Sequence, residues 1–429
     1  MKSIKKLQNV KITEYSLILC ILLVNFWCVF LNQTLLFTFG GALVTMLDVV
    51  LCAYLIVNYR RKSVSRDTAS RMDLSLIYWV LFALLYMAVF SLGSSRLPGV
   101  SVIGFNIPKQ IYNMLFNVMH MLAMVAALRN MKNDERELAS KVVIFVFLAV
   151  ALGNIAAVAI DPSLTKTNPY DEGGSVFVLG YSMAYSLALI LPAFVYKFIR
   201  SERKITYLLL IISIAISIFL AGYFIAVCTA IIAVIVTLIL LIKDKLLAYG
   251  TLIIVTVAVI LLLSSGILQE FFYFIGEAVP IYQLSRRFTE IADFMSKGVE
   301  YNHEGETTFR FYIYKETFEN FMQHPVLGNF VFGNYDCQYD HATILDILSV
   351  GGVVLGGLFF EFLKRCYDAA STRITDDLGK RALSAAFLAY IFVACFNSAL
   401  SATHLGVLVL AAPLIIGGKK DEDLDCSSL

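Results

Sequence analysis

Apolar positions along this chain run unbroken for about 20 residues at a time and do not alternate with polar ones, the mark of membrane-crossing helices. Such runs fall at residues 15–31, 34–57, 74–92, 111–128, 142–160 and 176–198, then at 205–220, 224–242, 246–264, 341–363, 383–400 and 404–416. A bilayer core about 30 Å thick takes about 20 helical residues, so the pattern predicts an all-α integral membrane protein with about twelve transmembrane helices. Two closely spaced pairs, meeting at Gly222 and at Ser401–Thr403, fit either one long broken span or a tight hairpin.

One long stretch, 265–340, breaks the pattern before the tenth span and divides the chain into spans 1–9 (1–264), a large loop and a C-terminal part (341–429). The loop opens with a mixed apolar segment, Gln269–Gln283, interrupted by Pro280. Phe288, Ile291, Ala292 and Met295 then recur at helical spacing, and after a polar gap so do Phe311, Tyr314, Phe318 and Phe321. Two short amphipathic helices lying on a membrane surface are expected, the second stopped by Pro325 and Gly328.

Composition agrees with this reading. The chain is 59% hydrophobic and 15% charged, where a soluble domain carries roughly 25% charged residues. Basic residues cluster in alternate connections: Arg60–Arg71, Arg129–Lys141, Lys197–Lys204, Lys243–Lys245, Lys364–Arg381 and Lys419–Lys420. Twelve spans put all of these on the cytoplasmic side with both termini, and put the large loop outside. No basic tract suggests nucleic acid. The cysteines are scattered singly, with no CxxC or Cys/His metal spacing, so neither a disulfide framework nor a zinc site is expected. The first run lacks a small-residue cleavage site and reads as an uncleaved span.

Arginines are few in the loop. Arg286 has Glu290 at i+4 and is expected to form a weak ion pair. Arg287 has Ile291 at i+4 and Arg310 has Tyr314 at i+4, which places both nearer an apolar face. A guanidinium there suits a bidentate phosphate contact, or it snorkels at the lipid surface. Asp340 is a candidate N-cap for the tenth span, and His341 in its first turn could take a proton or find only water. Gly352 and Gly356, four residues apart, would bare one helix face to a neighbour. Asp48, His120, Asn154 and Asp346 stand in apolar runs; interhelical hydrogen bonding accounts for such residues, and Asp346 is placed to support His341.

Taken together, Arg310, His324-Pro325-Val326-Leu327-Gly328, His341, Leu345, Leu348 and Gly352 resemble the pattern of the O-antigen polymerase and ligase superfamily. These are membrane enzymes that join lipid-linked sugar chains. The chain departs from that pattern at Ala342, often a polar residue in the family, and at Ala221-Gly222-Tyr223-Phe224, where many members carry Ser-Arg-Gly. The second departure favours a polymerase over a ligase.

The resemblance implies a GT-C-like architecture in a bacterial cytoplasmic (inner) membrane. It implies a polyprenyl diphosphate-linked oligosaccharide as donor, a second lipid-linked unit as acceptor, contact with membrane lipid, and possible partners such as a chain-length regulator. The implied catalytic residues are His341, Arg310 and Arg287, with Arg286, Asp340, His324, Tyr314 and Gly352 at the substrate. No metal and no cofactor are called for, and the loop helices would form a partial lid. A ligase, or a transporter of lipid-linked sugars, are the alternatives.

Overall fold

The computed structural model describes residues 66–95, 114, 133–161, 179–279, 282–297, 306–332 and 342–417. The expected spans at 15–31, 34–57 and, apart from Met114, 111–128 lie outside the described residues, as do Asp48, His120, Asp340 and His341. All regular elements among the described residues are helices: α1 (Arg66–Ser95), α2 (Asn133–Ile160), α3 (Tyr181–Arg200), α4 (Lys204–Leu220), α5 (Phe224–Leu240), α6 (Lys245–Ser264), α7 (Ile267–Ala278), α8 (Tyr282–Lys297), α9 (Glu306–Gln323), α10 (Asn329–Phe332), α11 (Thr343–Ser371), α12 (Asp377–Phe396), α13 (Ala402–Gly406) and α14 (Ala412–Ile416). A π-helical turn, Val407–Ala411, joins the last two.

Among the described residues, five segments are long and apolar enough to cross a membrane: Arg136–Ile160, Tyr181–Arg200, Lys245–Leu262, Thr343–Ser371 and Asp377–Phe396. They mark a helical membrane protein. Helices α4 and α5 are shorter and separate, because the chain turns at Ala221-Gly222-Tyr223 with Gly222 at φ 71°. The pair at Gly222 is therefore two helices. The final helical run from Ala402 is about 22 Å long, short of a ~30 Å hydrocarbon core. Every residue of its π turn and of α14 is buried, so it packs inside the protein.

The centre of the bundle is α3, which is buried continuously from Met183 to Tyr196. It packs against α4, α5, α12 and the terminal helical run. A second seam joins α1 to α11 through Trp79 on Phe362 (ring centroids 4.5 Å) and Phe82 on Phe359 (5.3 Å). Helix α6 lies at the edge, with Leu246, Ile254 and Leu261 each more than 60% exposed. An apolar surface of that kind suits contact with lipid.

Several buried polar groups between these helices are paired, whereas Trp79 Nε1 and the Tyr390 hydroxyl have no hydrogen-bond partner among the described residues. Asn154 of α2 donates through Nδ2 to the Ser217 carbonyl (3.0 Å) and to its hydroxyl (3.1 Å), and its Oδ1 accepts from Leu179 N–H (3.1 Å). That is the interhelical role expected for it. Arg381 of α12 donates to the carbonyls of Leu240, Ile242 and Lys243 (2.6–3.3 Å), capping the C-terminal end of α5.

The loop differs from the expectation in helix number. Four helices, α7, α8, α9 and the single turn α10, lie in it among the described residues, and Ile267–Ala278 is itself helical up to the residues before Pro280. Their packing is aromatic. Phe288 of α8 meets Phe272 of α7 (6.0 Å) and Phe224 of α5 (5.1 Å), and Phe294 stacks on Phe311 of α9 at 4.2 Å with rings 6° from parallel. Tyr273 also donates to Asp293 Oδ1 (2.7 Å).

Helix α11 differs twice. Its N-cap is Ala342, where Asp340 was expected, because Asp346 reaches back one turn and accepts from Ala342 N–H (3.2 Å). The helix is also broken at Gly352, which adopts φ 63° and ψ −163°. Gly352 therefore contributes a backbone break and no bare helical face. The N–H groups beyond the break are satisfied from the His324–Gly328 segment: Val353 donates to the Pro325 carbonyl (2.8 Å) and Val354 to the Val326 carbonyl (3.3 Å). The approach is mutual. A Cβ on Gly352 would lie 2.2 Å from the Val326 carbonyl oxygen, and one on Gly328 (φ 77°) would lie 2.2 Å from that of Val350.

Candidate functional site

Where α8 and α9 meet α3, the α4–α5 turn and the end of α12, they enclose a cavity of about 190 Å³. Both arginines expected near an apolar face reach it. Arg287 comes from α8 and Arg310 from α9, and Tyr314 stands one turn beyond Arg310. Gly222 and Tyr223 line the same cavity, so the α4–α5 turn and the two guanidiniums border one space.

Arg287 is 9% exposed, so it lies in the interior and does not snorkel. Glu290 serves both arginines of α8, one through each oxygen: Arg287 at 2.9 Å and Arg286 at 2.7 Å. Burial pulls the Arg287 guanidinium below its ordinary pKa, Glu290 raises it again, and the nearby charge of Arg310 adds to the fall. The Glu290 carboxylate outweighs the Arg310 charge at Arg287, and the two guanidiniums border one largely apolar hollow where a further bidentate anion contact can form. Arg286 is half exposed, keeps its expected ion pair and does not line the cavity.

Tyr314 anchors the site to the membrane helices. Its hydroxyl donates to the carbonyl of Phe396 (2.6 Å), at the last turn of α12. Burial pushes this phenol up to about 12, with the Arg310 charge working against the rise and Asp346 adding to it. Asp346 is thus an electrostatic neighbour of the cavity from the first turn of α11. His341, the expected base, lies outside the described residues, one residue before Ala342.

The remaining expected substrate residues fall elsewhere. His324 stacks on Phe332 (4.3 Å, 20°), and Gly352 forms the backbone joint with Val326; neither lines the cavity. Asp340 lies outside the described residues. The structure therefore gathers Arg287, Arg310 and Tyr314, and separates them from His324 and Gly352.

Three cavity residues were missed in the sequence. Tyr181 and Tyr185 sit on α3, and Asn397 follows the end of α12. Tyr181 packs on Tyr223 (4.1 Å). Asn397 donates through Nδ2 to the Tyr185 hydroxyl and accepts at Oδ1 from Ser398 N–H (2.9 Å). Its carbonyl accepts from Thr343 N–H (3.2 Å), tying the unwound end of α12 to the start of α11. Behind Tyr185 stands a buried imidazole, His404, edge-on at 5.8 Å. Its nitrogens face the carbonyls of Ala399 (3.0 Å) and Ser182 (3.1 Å). A polar pair, Asn397-Ser398, inside an apolar run was the available signal for the break; the tyrosines carried none.

Among the described residues no group of three or more His, Cys, Asp and Glu side chains comes together. No protein-family model matches the chain, and no curated protein matches it.

Proposed function

We propose that this protein is a membrane glycosyltransferase of the polymerase type, joining polyprenyl diphosphate-linked oligosaccharide units at the outer face of a bacterial cytoplasmic membrane. The observation that carries this reading is the pairing of Arg287 and Arg310 in one cavity beside aromatic walls, with the start of α11 close by. The sequence pattern around Arg310, His341 and Gly352 supplies the substrate class.

In this reading the two guanidiniums hold the donor diphosphate and neutralise the charge that grows on it as it leaves. A hydroxyl of the acceptor sugar attacks the anomeric carbon of the donor. The new C–O bond forms as the bond from that carbon to the diphosphate oxygen breaks, and the hydroxyl proton passes to His341. The energy of the bond resides in the donor, so the step needs no nucleotide. The aromatic residues of the cavity suit the apolar faces of sugar rings, and Tyr314 fixes α9 against α12 so that Arg310 is held in place before substrate arrives.

Purified protein supplied with lipid-linked repeat units tests the proposal. Chain elongation without nucleotide is expected. Transfer to a different acceptor without elongation would assign a ligase, and movement across the membrane without any new bond would assign a transporter.

A further inference from the structure

One hydrogen-bond donor of the cavity has no acceptor among the described residues. Tyr185 is 1% exposed and lines the hollow from α3. Its hydroxyl oxygen accepts from Asn397 Nδ2. The orientation of that amide is set by Ser398 N–H, which donates to Asn397 Oδ1 (2.9 Å) and so turns the NH₂ group toward the phenol. A phenol that accepts from an amide still has its own O–H to give. Among the described residues that O–H meets no acceptor. A buried donor left without a partner is costly, and one that lines a cavity beside two arginines can be satisfied by a ligand that supplies the acceptor.

The ring cannot easily turn away. His404 lies edge-on to it at 5.8 Å and Tyr181 packs at 6.4 Å. Arg310 and Tyr314 are its electrostatic neighbours across the cavity. The phenol lines the same space that the two arginines border, where its unspent hydrogen can reach a ligand.

We propose that Tyr185 is the third anion-binding group of this cavity, donating its phenolic hydrogen to a phosphate oxygen of a diphosphate ester held by Arg287 and Arg310. The inference deepens the proposed function and rests on it for the nature of the ligand. Its chemical content is a neutral donor fixed opposite two cations. Two guanidiniums neutralise the diphosphate, and the phenol selects the position of one oxygen without adding charge.

Full-length protein purified in detergent, titrated by calorimetry with farnesyl diphosphate and in parallel with inorganic pyrophosphate, tests this. Tyr185→Phe keeps the ring and removes the donor, and should weaken both ligands about tenfold, the usual worth of a hydrogen bond to a charged group. Because that variant leaves the Asn397 amide facing carbon, the double variant Tyr185→Phe/Asn397→Leu should reproduce the same loss in a protein with no stranded amide. Binding by Tyr185→Phe at wild-type affinity would overturn the inference. So would a loss confined to the prenyl compound, which would assign Tyr185 to the lipid tail, or the absence of any binding to the wild type. The parent reading fails separately: Tyr185-dependent binding without chain elongation removes the polymerase and leaves the donor, while undiminished affinity and elongation in Tyr185→Phe do the reverse.

Discussion

The arginine side of the cavity and the backbone joint at Gly352 come from one stretch of sequence, yet they use their residues in opposite ways. At the cavity Arg287, Arg310 and Tyr314 act through what their side chains carry. At the joint Gly328 and Gly352 act through what theirs lack, since each glycine leaves room for a carbonyl of the other segment. A series of residues that reads as a single motif thus splits in space into a group that can meet a ligand and a group that holds the scaffold.

That division orders the expected effects of substitution. Gly352→Val should be the most damaging, since its Cβ would meet a backbone oxygen that cannot move aside and the residue would sit at positive φ. A destabilisation of about 4 kcal/mol or more is expected, read as loss of folded protein from the membrane fraction; a normal level and normal melting would show that the two segments do not meet as described. Next, Arg310→Ala and Arg287→Ala should each lower elongation about 100-fold or more, the scale for removing a charge-stabilising donor, with protein levels unchanged. Loss of level instead of activity would move these arginines to the scaffold side.

Arg286→Ala should cost less than about threefold in activity, since an exposed ion pair contributes under 1 kcal/mol; an effect equal to that of Arg287→Ala would mean α8 is turned the other way. The smallest effect concerns Tyr314. Its pKa is raised from 10.0 to about 12 by burial, so the neutral phenol is favoured in the folded protein. The stability it contributes is fully present below about pH 10 and is lost as pH rises toward 12. The stability gap between wild type and Tyr314→Phe should be constant from pH 7 to about 10 and shrink above it. A gap that does not change with pH up to 12 would contradict the buried setting.

Much of this was legible beforehand. Spacing alone placed Arg286 on Glu290, turned Arg287 inward with Ile291, and set Arg310 one turn from Tyr314. Apolar run length located the helices of the bundle core. What escaped detection depended on contacts between distant segments. Gly352 looks like any small helical residue until Val326 is seen beside it, because a positive φ leaves no local signature. Tyr185 and Asn397 are 212 positions apart and meet only through packing of α3 against α12. The helix Ile267–Ala278 was hidden because an amphipathic stretch ending before a proline reads equally well as irregular chain.

The joint also decides which edge of the site can give way. Behind Arg310, helix α9 runs through His324 into the segment that supplies acceptors to Val353 and Val354, and prising it loose would strand two amide donors at about 1–3 kcal/mol apiece. Toward α8, the contact of α9 includes the stacked rings of Phe294 and Phe311, worth about 0.5–1.5 kcal/mol. Of these two fastenings the stacked pair is therefore the cheaper to part, and the backbone joint is the one that anchors α9 at its far end.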